Sequence, residues 1–221
     1  PEAYQDDIAR CCEFLADNLS ERGSRQEAEK LYRESLNIYR TLEEKNPESY
    51  RGRIVSNCNA LAGFLEKKGS KQEVEKLYRE ALEISRILAE NNPKVYQETV
   101  AACCFNLAYF LEKKGSKQEA EKLCRECLDI YRVLLEKNPE IYQKNVAIYC
   151  DILADFLKKN GSLKEAKELY SEALSIRRPL AMKNFDAFLM YLISIYNCFG
   201  VICRSFFRRI FPGENNHVSG D

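Results

Sequence analysis

The sequence contains no tryptophan and one histidine, His217, close to its C-terminal end. It has no glycine-rich phosphate loop, no paired-histidine metal motif and no nucleophile elbow. Catalytic sites need convergent reactive groups, and none converge here. The chain therefore reads as a non-enzyme with no cofactor and no metal. Lysine plus arginine total 34, as do aspartate plus glutamate, so net charge is absent. That balance argues against a general binder of polyanions, and no nucleic-acid partner is expected. A secretory signal is also lacking at the visible start, so the Asn18-Leu19-Ser20 and Asn160-Gly161-Ser162 sequons read as chance.

What the chain does have is ten cysteines, 13 tyrosines and 11 phenylalanines spread over regular amphipathic stretches. A secreted disulfide scaffold would be shorter and richer in loops. Thiols used as small apolar residues fit a reducing compartment, and a cytoplasmic location is expected.

One device organises the sequence. Gly115-Ser116-Lys117-Gln118-Glu119 reads as a helix stop followed at once by a helix start. Glycine can take the left-handed conformation that closes a helix. Serine then caps the next helix, with a glutamate three positions on to complete a capping box. The device recurs at Gly23, Gly69 and Gly161, each 46 residues from the next. Pro1, Pro47, Pro93 and Pro139 open the repeats, which gives boundaries at 1–46, 47–92, 93–138 and 139–184. The start on a boundary suggests a piece of a longer array, or a regulatory module of a larger protein.

Each repeat is expected to hold two helices. In the first helix of repeat two, Ile54, Cys58, Leu61, Ala62 and Leu65 form a stripe of threes and fours. In the second helix of repeat one, Ala28, Leu31, Tyr32, Ser35, Ile38, Tyr39 and Leu42 share a face. Glu73 with Lys76 and Glu119 with Lys122 read as solvated pairs along a helix.

Aligned positions show a large-small-large order. The first helix carries Leu15, Leu61, Leu107 and Leu153, then Ala16, Ala62, Ala108 and Ala154, then Leu19, Leu65, Leu111 and Leu157. The second carries Ala28, Val74, Ala120 and Ala166, then Tyr32, Tyr78, Cys124 and Tyr170, then Ser35, Ala81, Cys127 and Ala173. This order resembles the tetratricopeptide repeat (TPR) over residues 1–184. The 46-residue period departs from the family's ~34 and is similar to the long-helix repeats of kinesin light chains. Cys12, Cys58, Cys104 and Cys150 stand where the family usually has a tryptophan-like residue.

The resemblance implies an all-α fold: a right-handed α-α superhelix (a TPR-like solenoid) of four helix-pair repeats, followed by a C-terminal apolar helix. It also implies a scaffold for protein–protein interaction that takes a protein or peptide partner in a concave groove lined by first helices. Residues one and five places after the Cys12-type position would face that groove: Glu13 and Asp17, Asn59 and Gly63, Phe105 and Tyr109, Asp151 and Asp155. Unlike the core positions, these differ between repeats, as a surface that reads a particular ligand requires. A Phe105–Tyr109 step flanked by carboxylates suits a peptide with an apolar anchor and basic neighbours. The subtype that grips acidic tails with basic and asparagine residues is not supported.

Cys124-x-x-Cys127 reads as core rather than metal ligand, because both fall on packing positions. Lys67-Lys68, Lys113-Lys114 and Lys158-Lys159 end their helices, where cations complement the negative pole, and they also form a row that an acidic partner could meet. Pro179 predicts a bend or early stop in the second helix of repeat four. Residues 187–203 carry no charge, and adding 46 to Leu153 and Ala154 gives Phe199 and Gly200. That register makes 185–211 the first helix of a fifth repeat. It leaves three readings open: a cap or oligomer contact through 187–210, a membrane anchor, or packing on a following repeat. Seventeen residues broken by Tyr191, Ser194, Tyr196 and Asn197 are short for an anchor. Residues 212–221 read as a disordered tail. A membrane-tethered or self-associating scaffold is thus the alternative function.

Overall fold

The computed structural model describes residues 2–66, 71–181 and 185–210, with side chains for 4–66, 71–181 and 189–201. Lys67-Lys68, Gly69-Ser70, His217 and the 212–221 tail lie outside the described residues. Among the described residues every regular element is an α-helix. They are α1 (Glu2–Glu21), α2 (Arg25–Glu43), α3 (Pro47–Glu66), α4 (Lys71–Asn91), α5 (Pro93–Lys114), α6 (Lys117–Lys137), α7 (Pro139–Lys159), α8 (Leu163–Ala181) and α9 (Phe185–Ile210). The fold is all-α, built from helix pairs in the manner of a TPR-like solenoid.

The chain divides into two compact units, Pro1–Leu123 and Cys124–Asp221, and the division falls inside α6. In the first, α1 packs on α2, α2 on α3, α3 on α4 and α4 on α5. In the second, α7 packs on α8 and α8 on α9. There Tyr131 of α6 stacks on Tyr149 of α7, ring centroids 4.7 Å apart.

The glycine turns follow from local chemistry. Gly115 has φ +95°, and the Ser116 N–H reaches back to the Leu111 carbonyl at 2.9 Å. Gly23 and Gly161 do the same, with Ser24 and Ser162 bonding to Leu19 and Leu157. This left-handed closure satisfies carbonyls that the helix end would otherwise orphan.

The start of the second helix differs from a capping box. The Ser24 side chain makes no cap bond. The glutamates three places after the serines turn instead to arginines of the preceding second helix. Arg33 grips Glu73 (Nη2–Oε2 3.0 Å), Arg79 grips Glu119 (2.7 and 2.9 Å) and Arg125 grips Glu165 (Nη2–Oε2 2.9 Å). Arg40–Glu80 in the first unit and Arg132–Glu172 in the second repeat the contact two turns further along. A guanidinium offers the carboxylate two parallel hydrogen bonds and a full opposite charge, where a backbone N–H offers one bond, so the carboxylate goes to the guanidinium. Glu73 and Glu119 therefore bond most closely to arginines 40 residues away, not to the lysines three places on.

The predicted core is largely in place. Cys12, Cys58, Cys104 and Cys150 are buried, as are Cys124 and Cys127. Burial pushes the Cys58 and Cys150 thiols up to about 12, so both are inert as nucleophiles. In α2 the buried face takes Leu36, while Leu31 and Ile38 are half-buried. Leu15 is a correction: it is 50 % exposed, against 1–2 % for Leu61, Leu107 and Leu153. Leu61 sits between α2 and α4 with Leu36 and Leu77 around it. No described helix takes the place of α2 beside α1. Tyr4 and Ile8 on the same stripe are exposed for that reason.

Helix α8 runs through Pro179 to Ala181, so the proline lies inside the helix and makes no early stop there, α2 ending at the equivalent position, Glu43. Helix α9 is present, but its seating departs from the 46-residue register. Ser194 and Val201 are fully buried and Cys198 nearly so, while Leu192, Ile195 and Phe199 are exposed. The buried set lies 45 residues after Tyr149, Leu153 and Phe156, not 46. Arg177 fits this seating. Where other second helices have Tyr39, Ser85 and Tyr131, this one buries a guanidinium. Arg177 donates to Asp151 of α7 and to the Ser194 hydroxyl of α9. In the 46-residue register Ile195 would stand there, and Arg177 would keep Asp151 but lose the Ser194 hydroxyl, leaving a buried donor unmet at a cost of about 1–3 kcal/mol. A slip of one residue supplies Ser194.

Candidate functional site

The eight residues expected to line the groove separate into two classes. The acidic ones are tied to neighbouring helices, of their own repeat or the next. Glu13 accepts from Asn57 Nδ2 of α3 at 3.0 Å and from the Tyr39 hydroxyl of α2 at 3.4 Å. Asn57 Nδ2 also donates to Ser35 Oγ at 2.8 Å. Asp151 holds the corresponding place in repeat four, with Arg177 and Ser194 as partners. Burial pushes both carboxyls above their ordinary range, against the lowering effect of these donors. Asp17 and Asp155 are exposed, yet each accepts the hydroxyl of a second-helix tyrosine, Tyr32 and Tyr170. Burial, with the adjacent carboxylate, raises both phenols well above their usual range.

The place of the Asp17-type acid decides where each tyrosine turns. Repeat two has Gly63 there, and a Cβ on it would meet the Tyr78 hydroxyl at 3.6 Å. Tyr78 donates onward to Glu66 Oε1 at 2.8 Å.

The second class is neutral and lies together on α3 and α5. Phe105 stacks on Tyr109 with centroids 6.1 Å apart and planes at 28°. Tyr109 is 48 % exposed, and Phe105 is half-buried. Lys113 Nζ stands 4.0 Å from the Tyr109 centroid and 3.0 Å from Glu66 Oε2. Beside them the Asn106 amide donates to Asn59 Oδ1 at 3.2 Å, and Asn59 Nδ2 donates to the Val55 carbonyl at 3.0 Å. Asn106, Lys113 and Glu66 thus join a patch that the one-and-five spacing did not include. The signal for Lys113 was its place one turn after Tyr109, the spacing that brings side chains together on a helix. Lys114 is engaged as well, with Glu75, so this part of the basic row is already paired within the chain.

The bridging role of Glu13 has a measurable consequence. Its folded pKa is raised, so its contribution to stability is full below the unfolded value of about 4.3 and is lost as pH rises through the folded value. Glu13→Gln keeps an acceptor for Asn57 and removes the buried charge. It is expected to raise stability by up to about 1 kcal/mol at pH 7, with the gain vanishing near pH 4 in thermal melts across pH.

Comparison with known proteins agrees with the fold. A tetratricopeptide repeat model matches residues 8–47 and 100–140, and a second tetratricopeptide repeat model matches 147–179. No curated protein matches the chain. Among solved structures, BtubC (BKLC) from P. vanneervenii is similar at a TM-score of 0.62 and 19 % identity, over 98 % of this chain and 86 % of that one. A putative kinesin light chain with nearly identical TPR-like repeats from Podosopora anserina gives 0.57 at 18 % identity, over 91 % and 97 %. A single-substitution variant of that protein gives 0.58 at 18 % identity, over 95 % and 99 %. At these identities the likeness is one of fold. The matched repeats cover more than half of the sequence, and the chain belongs to the tetratricopeptide repeat family.

Proposed function

We propose that this chain is a non-catalytic interaction scaffold that captures a peptide or helix of a partner protein on a concave groove lined by its first helices. The observation that carries this reading is the exposed Phe105–Tyr109 stack on α5, bordered by the Asn59–Asn106 amides and Lys113. An aromatic step of this kind offers contact area at low entropic cost to an apolar anchor. The amides offer hydrogen bonds to a peptide backbone. Asp17 and Asp155 stay exposed enough to meet basic neighbours, whereas Glu13 and Asp151 are committed to internal bonds. The free thiols of the described cysteines suit a reducing, cytoplasmic setting.

The test is capture of partners from native lysate with the full chain and with the Phe105→Ala, Tyr109→Ala variant. Loss of one partner, with affinity reduced about 30-fold as for a hot-spot pair worth about 2 kcal/mol, supports the groove. A large loss of thermal stability in the variant, or unchanged partners, sinks it.

A second reading gives α9 the binding role, because it exposes Leu189, Leu192, Ile193, Tyr196 and Phe199. No described helix is long and apolar enough to cross a membrane. A surface contact or a contact with another protein is what this face offers.

A further inference from the structure

Helix α9 presents two opposite faces. Ser194, Cys198 and Val201 are buried on the α8 side. About 180° around the helix, at 100° per residue, lie Leu189, Leu192, Ile193, Ile195, Tyr196 and Phe199, each 40–78 % exposed. From the ordinary size of these side chains, the exposed area is roughly 700 Å². That exceeds the roughly 300–600 Å² of the largest apolar patch on a typical monomer. It approaches the roughly 800 Å² that each partner commits to a stable interface.

The same face on α7 is covered by its own second helix, α8, and is made of Ala147, Cys150 and Ala154, all fully buried. Small residues there let two helix backbones approach. With α9 seated 45 residues on, the corresponding positions are Leu192, Ile195 and Phe199. Three small residues have become three large ones. A second helix of the repeat type would be overpacked against them. A face of large apolar residues suits instead a partner of the same kind, with side chains interdigitating as ridges into grooves.

We infer that the occupant is α9 of a second copy of this chain, paired across a two-fold axis. The inference rests on the reading that gives α9 a binding role and commits it to one partner. A two-fold contact sets each patch against its own copy, so a charge near the axis would face its like. Residues 187–203 carry no charge, and the patch meets its copy without repulsion. The Tyr196 hydroxyl supplies a polar group able to bond across the contact.

The experiment is the mass of the full chain in solution under reducing conditions, over roughly a hundredfold concentration range, because dimer population follows mass action. Light scattering is expected to give twice the 25.6 kDa of the chain. The variant Tyr196→Glu, Phe199→Glu changes two residues that are 78 % and 65 % exposed, so it leaves the α8 contact intact. It is expected to give 25.6 kDa with unchanged helical circular dichroism. A wild-type chain that stays at 25.6 kDa throughout overturns the inference, as does a helical variant that stays dimeric. Phosphatidylcholine vesicles separate the two levels. A monomer that sediments with vesicles through the same two residues keeps a binding role for α9 and removes the second copy. A monomer that ignores vesicles removes the second copy and the lipid surface together, and leaves α9 only a contact with a different protein.

Discussion

Asp151→Ala is expected to cost the second unit about 3 kcal/mol, the magnitude seen when one partner of a buried ion pair is removed. The Arg177 side chain is 7 % exposed and that of Asp151 18 %. Removing the carboxylate leaves a guanidinium with Ser194 as its remaining described partner, and a hydroxyl cannot balance a charge. The loss should appear as a lower urea midpoint for the helical signal. The companion variant Asp151→Leu, Arg177→Met removes both charges and should recover most of the loss, because two apolar residues of similar volume replace a desolvated pair. If the single variant is as stable as wild type, the pair does not seat α9. If the double variant is as unstable as the single, packing around α7 is the cause rather than charge.

Leu61→Ala is expected to cost about 3 kcal/mol, whereas Leu15→Ala, at the same place in repeat one, should cost less than about 1 kcal/mol. Leu61 is 1 % exposed between Leu36 and Leu77, and its truncation leaves a cavity that α2 and α4 cannot close. Leu15 is 50 % exposed, and its truncation removes little contact. Paired urea titrations check the difference. Equal costs would mean that Leu15 is covered in solution, by another copy or by further chain.

These two expectations also show how far the residues could be read in order. The helix pairs, their glycine closures and the small-large core rhythm were all legible, because each depends on residues within a turn or two of one another. Gly115 needs its left-handed backbone whatever surrounds it. Cys58 and Ala62 fall on one stripe whatever covers them. The Phe105–Tyr109 stack was legible for the same reason, being four apart on one helix.

The partners of charged groups were not legible in this way. Glu73, Glu119 and Glu165 have plausible local uses as caps or helix pairs, and the arginines that win them stand 40 residues earlier. Glu13 and Asp151 looked like a ligand-reading pattern because they differ from Asn59 and Phe105. Packing gives each of them internal partners, Asn57 and Tyr39 for Glu13 and Arg177 for Asp151. One sign was present: Arg177 breaks a series of tyrosine and serine at its position, and a cation on a core stripe demands partners.

The amino-acid sequence by itself determined the helices, their period and the family, since backbone closure and hydrophobic periodicity act over short range. Only the tertiary structure decided which carboxylates stay exposed and which are bonded internally, and which face of α9 is turned outward. Both depend on where a buried charge finds its counterpart, and that is settled by helices packed side by side.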